Sequence, residues 1–406
     1  MPFEAAAAML SYCTKAEVSE PTIRRATERA GQAYVEVQTA EVEALEKQLP
    51  QAPPGPPVQQ VSVDGAYVRL RGKGEWAEVK TLAIGTVTEP VLDPQKGEWE
   101  VHARELSYFS RLADHETFGR LATVETHRRG TEKAGVVCGV VDGAEWEQKF
   151  LDLHRPDAVR ILDFRHAGEY VVKAGRATLG EGRAATSEWI GVQLHELRHG
   201  NPGKVLGALS GLKEALAVGG EGESPSEALL VVAGSLEYLE KRKEQIRYAE
   251  FAAQGYPIGS GAVESANKLV VETRLKGSGM HWAREHVDPM VALRNIACSD
   301  RWEEAWPQIS ERLRQQQKEW AQKRRGEHRA AEVVMVAATL PAQAAGEPVA
   351  EASTRVVAPE MKTMPTEIGS QSTIGARRPA ANHPWRQMPI RRPRRAQACR
   401  APGAET

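Results

Sequence analysis

Three acidic residues stand where local sequence can hold a carboxylate in place. Asp64 follows the alternating, valine-rich start Gln60-Val-Ser-Val63 and precedes Gly65. Asp142 closes the near-continuous apolar run that begins at Gly135, and Gly143 follows it. Glu264 enters the first turn of a helical run, about Ala262 to Leu275, behind the small-residue turn Gly259-Ser260-Gly261. Taken singly, each has an ordinary explanation. Asp-Gly is turn chemistry, and an acid in a first helical turn answers the exposed N–H groups and the helix dipole. Brought together, three carboxylates repel one another unless a cation lies between them, and hard oxygen ligands favour Mg²⁺ or Mn²⁺. Two such ions about 3.5–4 Å apart activate a water or a 3′-hydroxyl and stabilise the leaving oxygen of a phosphodiester displacement.

A basic, glycine-broken segment follows the Glu264 helix and carries Arg274, Lys276, His281 and Trp282. Cations with an aromatic beside an acid suit a polyanion, with the side chains holding a phosphate backbone or a flanking base. A separate motif, His195-Glu196-Leu-Arg-His199, fits the zinc-peptidase pattern of two histidines at i and i+4 around a general base. Gly200-Asn-Pro-Gly203 breaks that helix at once, so the extended motif with a third histidine is absent. Glu214 or Glu221 would have to supply the remaining ligand.

The elements that must position these groups read as follows. Residues 1–50 are helical, with a helix at Ala5–Leu10, a proline-started one ending near Gly31, and a longer one from about Ala33 to Leu49. The second carries Arg24, Arg25 and Arg29, so residues 1–50 can form a helix-turn-helix that binds DNA, or a plain helical hairpin. The proline cluster at 51–58 reads as a linker. Strand patterns follow at 60–70 and 78–87, and residues 102–130 read as helical. The apolar runs 135–143 and 158–166 read as strands buried on both faces. A mixed α/β sheet with helices on both faces closes this core, residues 59–169. Residues 170–255 are a helical insertion, broken at 200–203 and 219–225. Residues 256–325 hold the Glu264 helix and further helices. From 326 to 406 the chain is low in complexity, ends in arginines without acids, and is expected to be disordered.

The bulk numbers exclude little. The 406 residues carry 53 basic and 54 acidic side chains and are 41% hydrophobic, which is globular and near neutral. Cys13, Cys138, Cys298 and Cys399 show no paired spacing, so a reducing, cytoplasmic setting without a disulfide framework is expected. No run approaches a membrane span.

Val61-Ser-Val-Asp-Gly65, Val141-Asp-Gly-Ala-Glu-Trp146, Ile161-Leu-Asp-Phe-Arg-His166, and Gly259-Ser-Gly-Ala-Val-Glu-Ser265 through Arg274-Leu-Lys-Gly-Ser-Gly-Met-His-Trp282 together resemble a family. The chain resembles bacterial insertion-sequence transposases of the DDE type, closest to the Kra-type elements related to Mutator-like transposases. The resemblance spans roughly Met1 to Trp306. It implies a ribonuclease-H-like core, Asp64, Asp142 and Glu264 as the metal-binding triad, and Mg²⁺ or Mn²⁺, in two ions, as cofactor. It also implies transposon-end and target DNA as partners, with a homo-oligomer assembled on DNA. Asp163 and His166 match the D-x-x-H signature of such enzymes, which supports the site or contacts DNA. Asp163 also ends a buried strand and is the alternative second acid. Asp142 is preferred because its strand comes earlier, beside the first. Relatives usually carry more sequence ahead of the N-terminal helices, and the tail matches nothing in the family, so a truncated or inactive DNA-binding derivative is the other reading.

Overall fold

The computed structural model describes residues 2–339, apart from 73, 95–96, 219–225 and 278. The break expected at 219–225 and the tail from 340 onward, with Cys399, lie outside the described residues.

Five strands form one mixed sheet in the order β5-β2-β1-β6-β7. Strands β1 (Val58–Arg69), β2 (Trp76–Val87) and β5 (Ala103–Arg111) make an antiparallel meander. Strands β6 (Val136–Val141) and β7 (Val159–Leu162) run parallel to β1. A two-stranded hairpin, β3 (Val91–Asp93) and β4 (Glu98–Glu100), interrupts the meander. Side chains alternate along β1 as a strand demands. Val61 and Val63 enter a core with α3 (His115–Arg128) and α4 (Glu145–His154). Ala66, Val68 and Leu70 face the opposite side, where α10 (Gly261–Ala266), α11 (Thr273–Leu275) and α12 (Val287–Cys298) pack. On the β6–β7 side, Val140, Ile161 and Leu162 are covered by α5 (Phe164–Leu179) and the helices that follow it. Those are α6 (Ala184–His199), α7 (Pro202–Val218), α8 (Glu227–Glu240) and α9 (Tyr248–Ala253).

Several sequence expectations change. Residues 103–111 are a strand, although Arg104 and Glu105 are good helix formers. Pairing with β2 and burial of Phe109 override that propensity. The run at 158–166 stops being strand at Leu162, because Asp163 caps α5 and places His166 in its first turn. The N-terminal region is α1 (Phe3–Thr14) and one continuous helix, α2 (Glu20–Gln48), with no break at Gly31. Gly31 lies against α12 so closely that a Cβ there would sit 2.1 Å from the Pro289 carbonyl oxygen. The proline segment is docked rather than loose: the Pro56 and Pro57 carbonyls accept from Gly135 N at 3.0 Å and Val136 N at 2.8 Å. The last helix, α13 (Trp302–Thr339), runs past residue 325, where low complexity was expected to dissolve it. Met1–Ala338 forms one compact unit. Among the described residues no helix is long and apolar enough to cross a membrane, and Cys13, Cys138 and Cys298 are free thiols.

Candidate functional site

Strand β1 lies beside β6 and parallel to it, and β6 beside β7. Val61 is level with Gly139, and Val141 with Leu162. Carried forward along the chains, the register sets Asp64, Asp142 and Asp163 at one level across three neighbouring strands. Alternation places Asp64 on the face of β1 that α10–α12 cover. Glu264 arrives in the first turn of α10. The loop before that helix is tied to β1, since buried Gln60 donates from Nε2 to the Gly259 carbonyl at 3.1 Å.

The acids lie within electrostatic reach of one another. Burial raises the Asp64 pKa, and the charge of Glu264 adds to the rise. Burial pushes Asp142 up to about 6; His166 opposes the rise, while Asp64, Asp163 and Glu264 add to it. The His166 Nδ1 lies 3.9 Å from the Asp142 carboxylate.

Each acid also has a protein partner. Asp64 accepts from Gly65 N at 2.6 Å and from Asn267 Nδ2 at 2.7 Å. Asn267 opens a π-helical stretch, residues 267–272, set between α10 and α11. Such insertions recur at functional sites, where they re-aim a side chain. Glu264 accepts from the exposed Arg165 Nη1 at 3.3 Å. Asp163 is 3% exposed and spends both oxygens on backbone: His166 N at 2.8 Å and Ser260 N at 2.6 Å. It therefore caps α5 and fastens the start of α10, a pinning role.

The helical insertion holds the Asp142 turn. Tyr238 of α8 donates its hydroxyl to the Asp142 carbonyl at 2.5 Å, and Arg242 donates to the Gly143 carbonyl at 2.6 Å. Gly143 has φ +84°, and a Cβ would lie 2.5 Å from Arg242 Nε. Only glycine meets both demands. Tyr238 stacks on Tyr170 at 4.0 Å between ring centroids, and His166 packs edge-on against both rings.

Sequence reasoning missed Glu147. It is 2% exposed, its carboxylate accepts from Ala144 N at 2.9 Å, and it lies within electrostatic reach of Asp142 and Asp64. Burial first, then those two charges, push its pKa up to about 8. The signal was an acid at the third position of α4, which reads equally as ordinary capping.

The candidate basic residues divide. Arg24, Arg25, Arg274, His281 and Trp282 line one cavity of about 480 Å³. Trp282 is 9% exposed, its backbone pairs with the chain at Arg69 and Arg71, and its Nε1 donates to the Leu275 carbonyl. Its ring belongs to the core and is not a free stacking face for a base. Lys276 does not line this cavity and pairs with Glu272 at 2.7 Å.

Asp64, Asp142 and Glu264 are hard oxygen donors, the charge of Glu264 adds to the raised pKa of both aspartates, and that donor chemistry suits a divalent cation. As the side chains stand, no three His, Cys, Asp or Glu among the described residues are gathered closely enough to hold a metal ion. Arg165 and Asn267 occupy oxygens that a metal would need. The His195 and His199 rings approach to 4.9 Å, but Glu196 is bonded to Asn201 N and Lys204, and no third ligand joins them among the described residues. Glu221 lies outside the described residues. No protein-family model matches this chain, and no curated protein matches it significantly.

Proposed function

We propose that this protein is a metal-dependent DNA strand-cleaving and strand-transferring enzyme, a transposase of the DDE type. The reading rests on one observation: the register of two adjacent parallel strands, carried three residues past Val61 and Gly139, levels Asp64 with Asp142, while the charge of Glu264 acts on both. The five-stranded mixed sheet with helices on both faces is compatible with the ribonuclease-H-like core that the sequence resemblance implies.

Asp64, Asp142 and Glu264 would hold Mg²⁺ or Mn²⁺, in two ions. Bound there, the metal supplies Lewis-acid activation of a water or 3′-hydroxyl and charge stabilisation at the leaving oxygen. The other residues prepare the site. Asp163 fixes the start of the Glu264 helix, and Tyr238 with Arg242 fixes the turn that presents Asp142. His166 stands 3.9 Å from the Asp142 carboxylate and partly offsets the burial that raises its pKa to about 6. Arg24, Arg25, Arg274 and His281 would meet backbone phosphates of the terminal repeats and target DNA.

The test is incubation of purified protein with duplexes carrying the ends of its own element and Mg²⁺. Strand cleavage and joining are expected. Asp64→Asn, Asp142→Asn and Glu264→Gln should each lower the rate at least about a thousandfold, roughly 4 kcal/mol in the barrier, while duplex binding persists. Undiminished rates in these variants would refute the assignment. A wild-type protein that binds the ends in EDTA and never cuts them would be a DNA-binding derivative instead.

A further inference from the structure

The cavity beside α2 contains a charge imbalance that the acidic site does not explain. Arg274 lines it at 9% exposure, its guanidinium over the rings of Phe3 at 4.4 Å and Trp282 at 5.1 Å. No ion pair or hydrogen bond is described for this guanidinium, and its buried Nη2 meets no acceptor. A buried cation without a counter-charge is costly, and two aromatic faces offset only part of that cost. Arg24, Arg25 and Arg71 line the same space. Its one carboxylate, Glu28, is taken by His286 at 2.7 Å, and Arg24 reaches Glu20 only at 4.0 Å.

We propose that this cavity is a seat for a phosphate group, with Arg274 as its floor and Arg25 and Arg71 as its walls. Several guanidiniums converging from different elements suit a tetrahedral phosphate, whose oxygens take more than one fork. A carboxylate is satisfied by a single bidentate arginine. The cavity of about 480 Å³ leaves room for the sugar on either side of a backbone phosphate.

The seat is separate from the acids. Trp282 bridges to Leu70 at the far end of β1, six residues beyond Asp64. That is about 20 Å along a strand, or roughly six base pairs of duplex. In assigning the phosphate to DNA the proposal rests on the transposase reading; its chemistry does not. A duplex seated here would reach the acids about half a turn away. The seat would also join α1, α2 and the 279–286 segment through one ligand.

The test is titration of the full chain, without divalent ions, with inorganic phosphate, pyrophosphate and a short DNA duplex, followed by calorimetry and thermal shift. Arg71→Gln and Arg25→Gln, both exposed, should weaken phosphate and pyrophosphate about tenfold each. Asp142→Asn should leave both unchanged. If the phosphate is a backbone phosphate, each arginine variant also lowers the slope of log affinity for duplex against log salt by about one. If duplex binding is untouched while the small anions weaken, the seat takes a free phosphate or nucleotide. Arg314→Gln, on α13 outside the cavity, controls for net charge. The proposal fails if phosphate and pyrophosphate bind the arginine variants as tightly as wild type, or if Arg314→Gln weakens them equally. Because no cleavage is measured, that failure leaves the triad experiment standing, and failure of the triad leaves this one standing.

Discussion

Glu147 and Arg165 show how much of the candidate site lies in residues with no motif of their own. The two aspartates stood out because Asp64 lies in an alternating strand pattern, Asp142 closes an apolar run, and a glycine follows each. Glu147 and Asn267 were not, because their roles depend on which strand lies beside which. Glu147 is buried with its pKa raised to about 8, so it is protonated at neutral pH. A raised folded pKa means that its contribution is fully present below the unfolded value near 4.5 and is lost as pH rises through about 8. Denaturant melts of wild type should therefore lose about 2–4 kcal/mol between pH 5 and pH 9 from this group. Glu147→Gln, which stays neutral, should remove that loss. An unchanged profile would show that the carboxyl is not buried as described. Arg165 makes the opposite case. Its pair with Glu264 is exposed, with the arginine side chain 78% accessible, so Arg165→Ala should change stability by less than about 0.5 kcal/mol. It should also free a carboxylate oxygen, and Mn²⁺ titrations followed by paramagnetic resonance should show affinity rising severalfold. Weaker Mn²⁺ binding would mean that the guanidinium positions Glu264 instead of competing for it.

Elements were legible where their hydrophobic period was clean and illegible where tertiary contact overrode local preference. Strands β1, β2 and β6 could be read from alternation or from continuous apolar runs. Strand β5 could not, because Ala103-Arg-Glu-Leu106 carries charges that suit a helix and only pairing with β2 decides the matter. Helix α2 failed in the other sense, since Gly31 reads as a terminator. There the missing side chain serves close approach of two helices, with the Pro289 carbonyl 2.1 Å from where a Cβ would be. Gly31→Ala gains up to about 1 kcal/mol in helix propensity. It must also push α2 from α12 against rigid backbone, at about 1–3 kcal/mol or more. The denaturation midpoint should therefore fall. Gly191 in α6 is the control, as a Cβ there meets nothing within 4 Å. Gly191→Ala should raise stability by about 0.5–1 kcal/mol. If both substitutions stabilise, the α2–α12 approach is looser than described.

At the scale of the molecule, the N-terminal region reads as a DNA-binding block on a proline tether, yet its contacts make it part of the core. Val42 of α2 is buried with the sheet residues, while Ala30, Ala33 and Tyr34 are buried with α12 and α13. Ion pairs tie the same helix to α3 and α13: Glu41–Arg128, Glu46–Arg120 and Glu36–Arg312. Gln38 accepts from Arg111, which is 2% exposed on β5 and has burial as the main cause of its lowered pKa. Removing α2 strands that guanidinium with the Ser110 carbonyl and the more distant charge of Asp288. Taking the acceptor from a buried charged donor costs about 1.5–3 kcal/mol, a sizeable part of a typical domain's stability. Two outcomes follow for residues 1–338. Urea unfolding should give coincident transitions by far-ultraviolet circular dichroism and tryptophan fluorescence, with no early phase from residues 1–50. A chain lacking those residues should lose the cooperative transition and bind a hydrophobic dye. If instead the shortened chain melts sharply and keeps its near-ultraviolet signal, residues 1–50 are an independent module, and the sequence reading of that region was the better one.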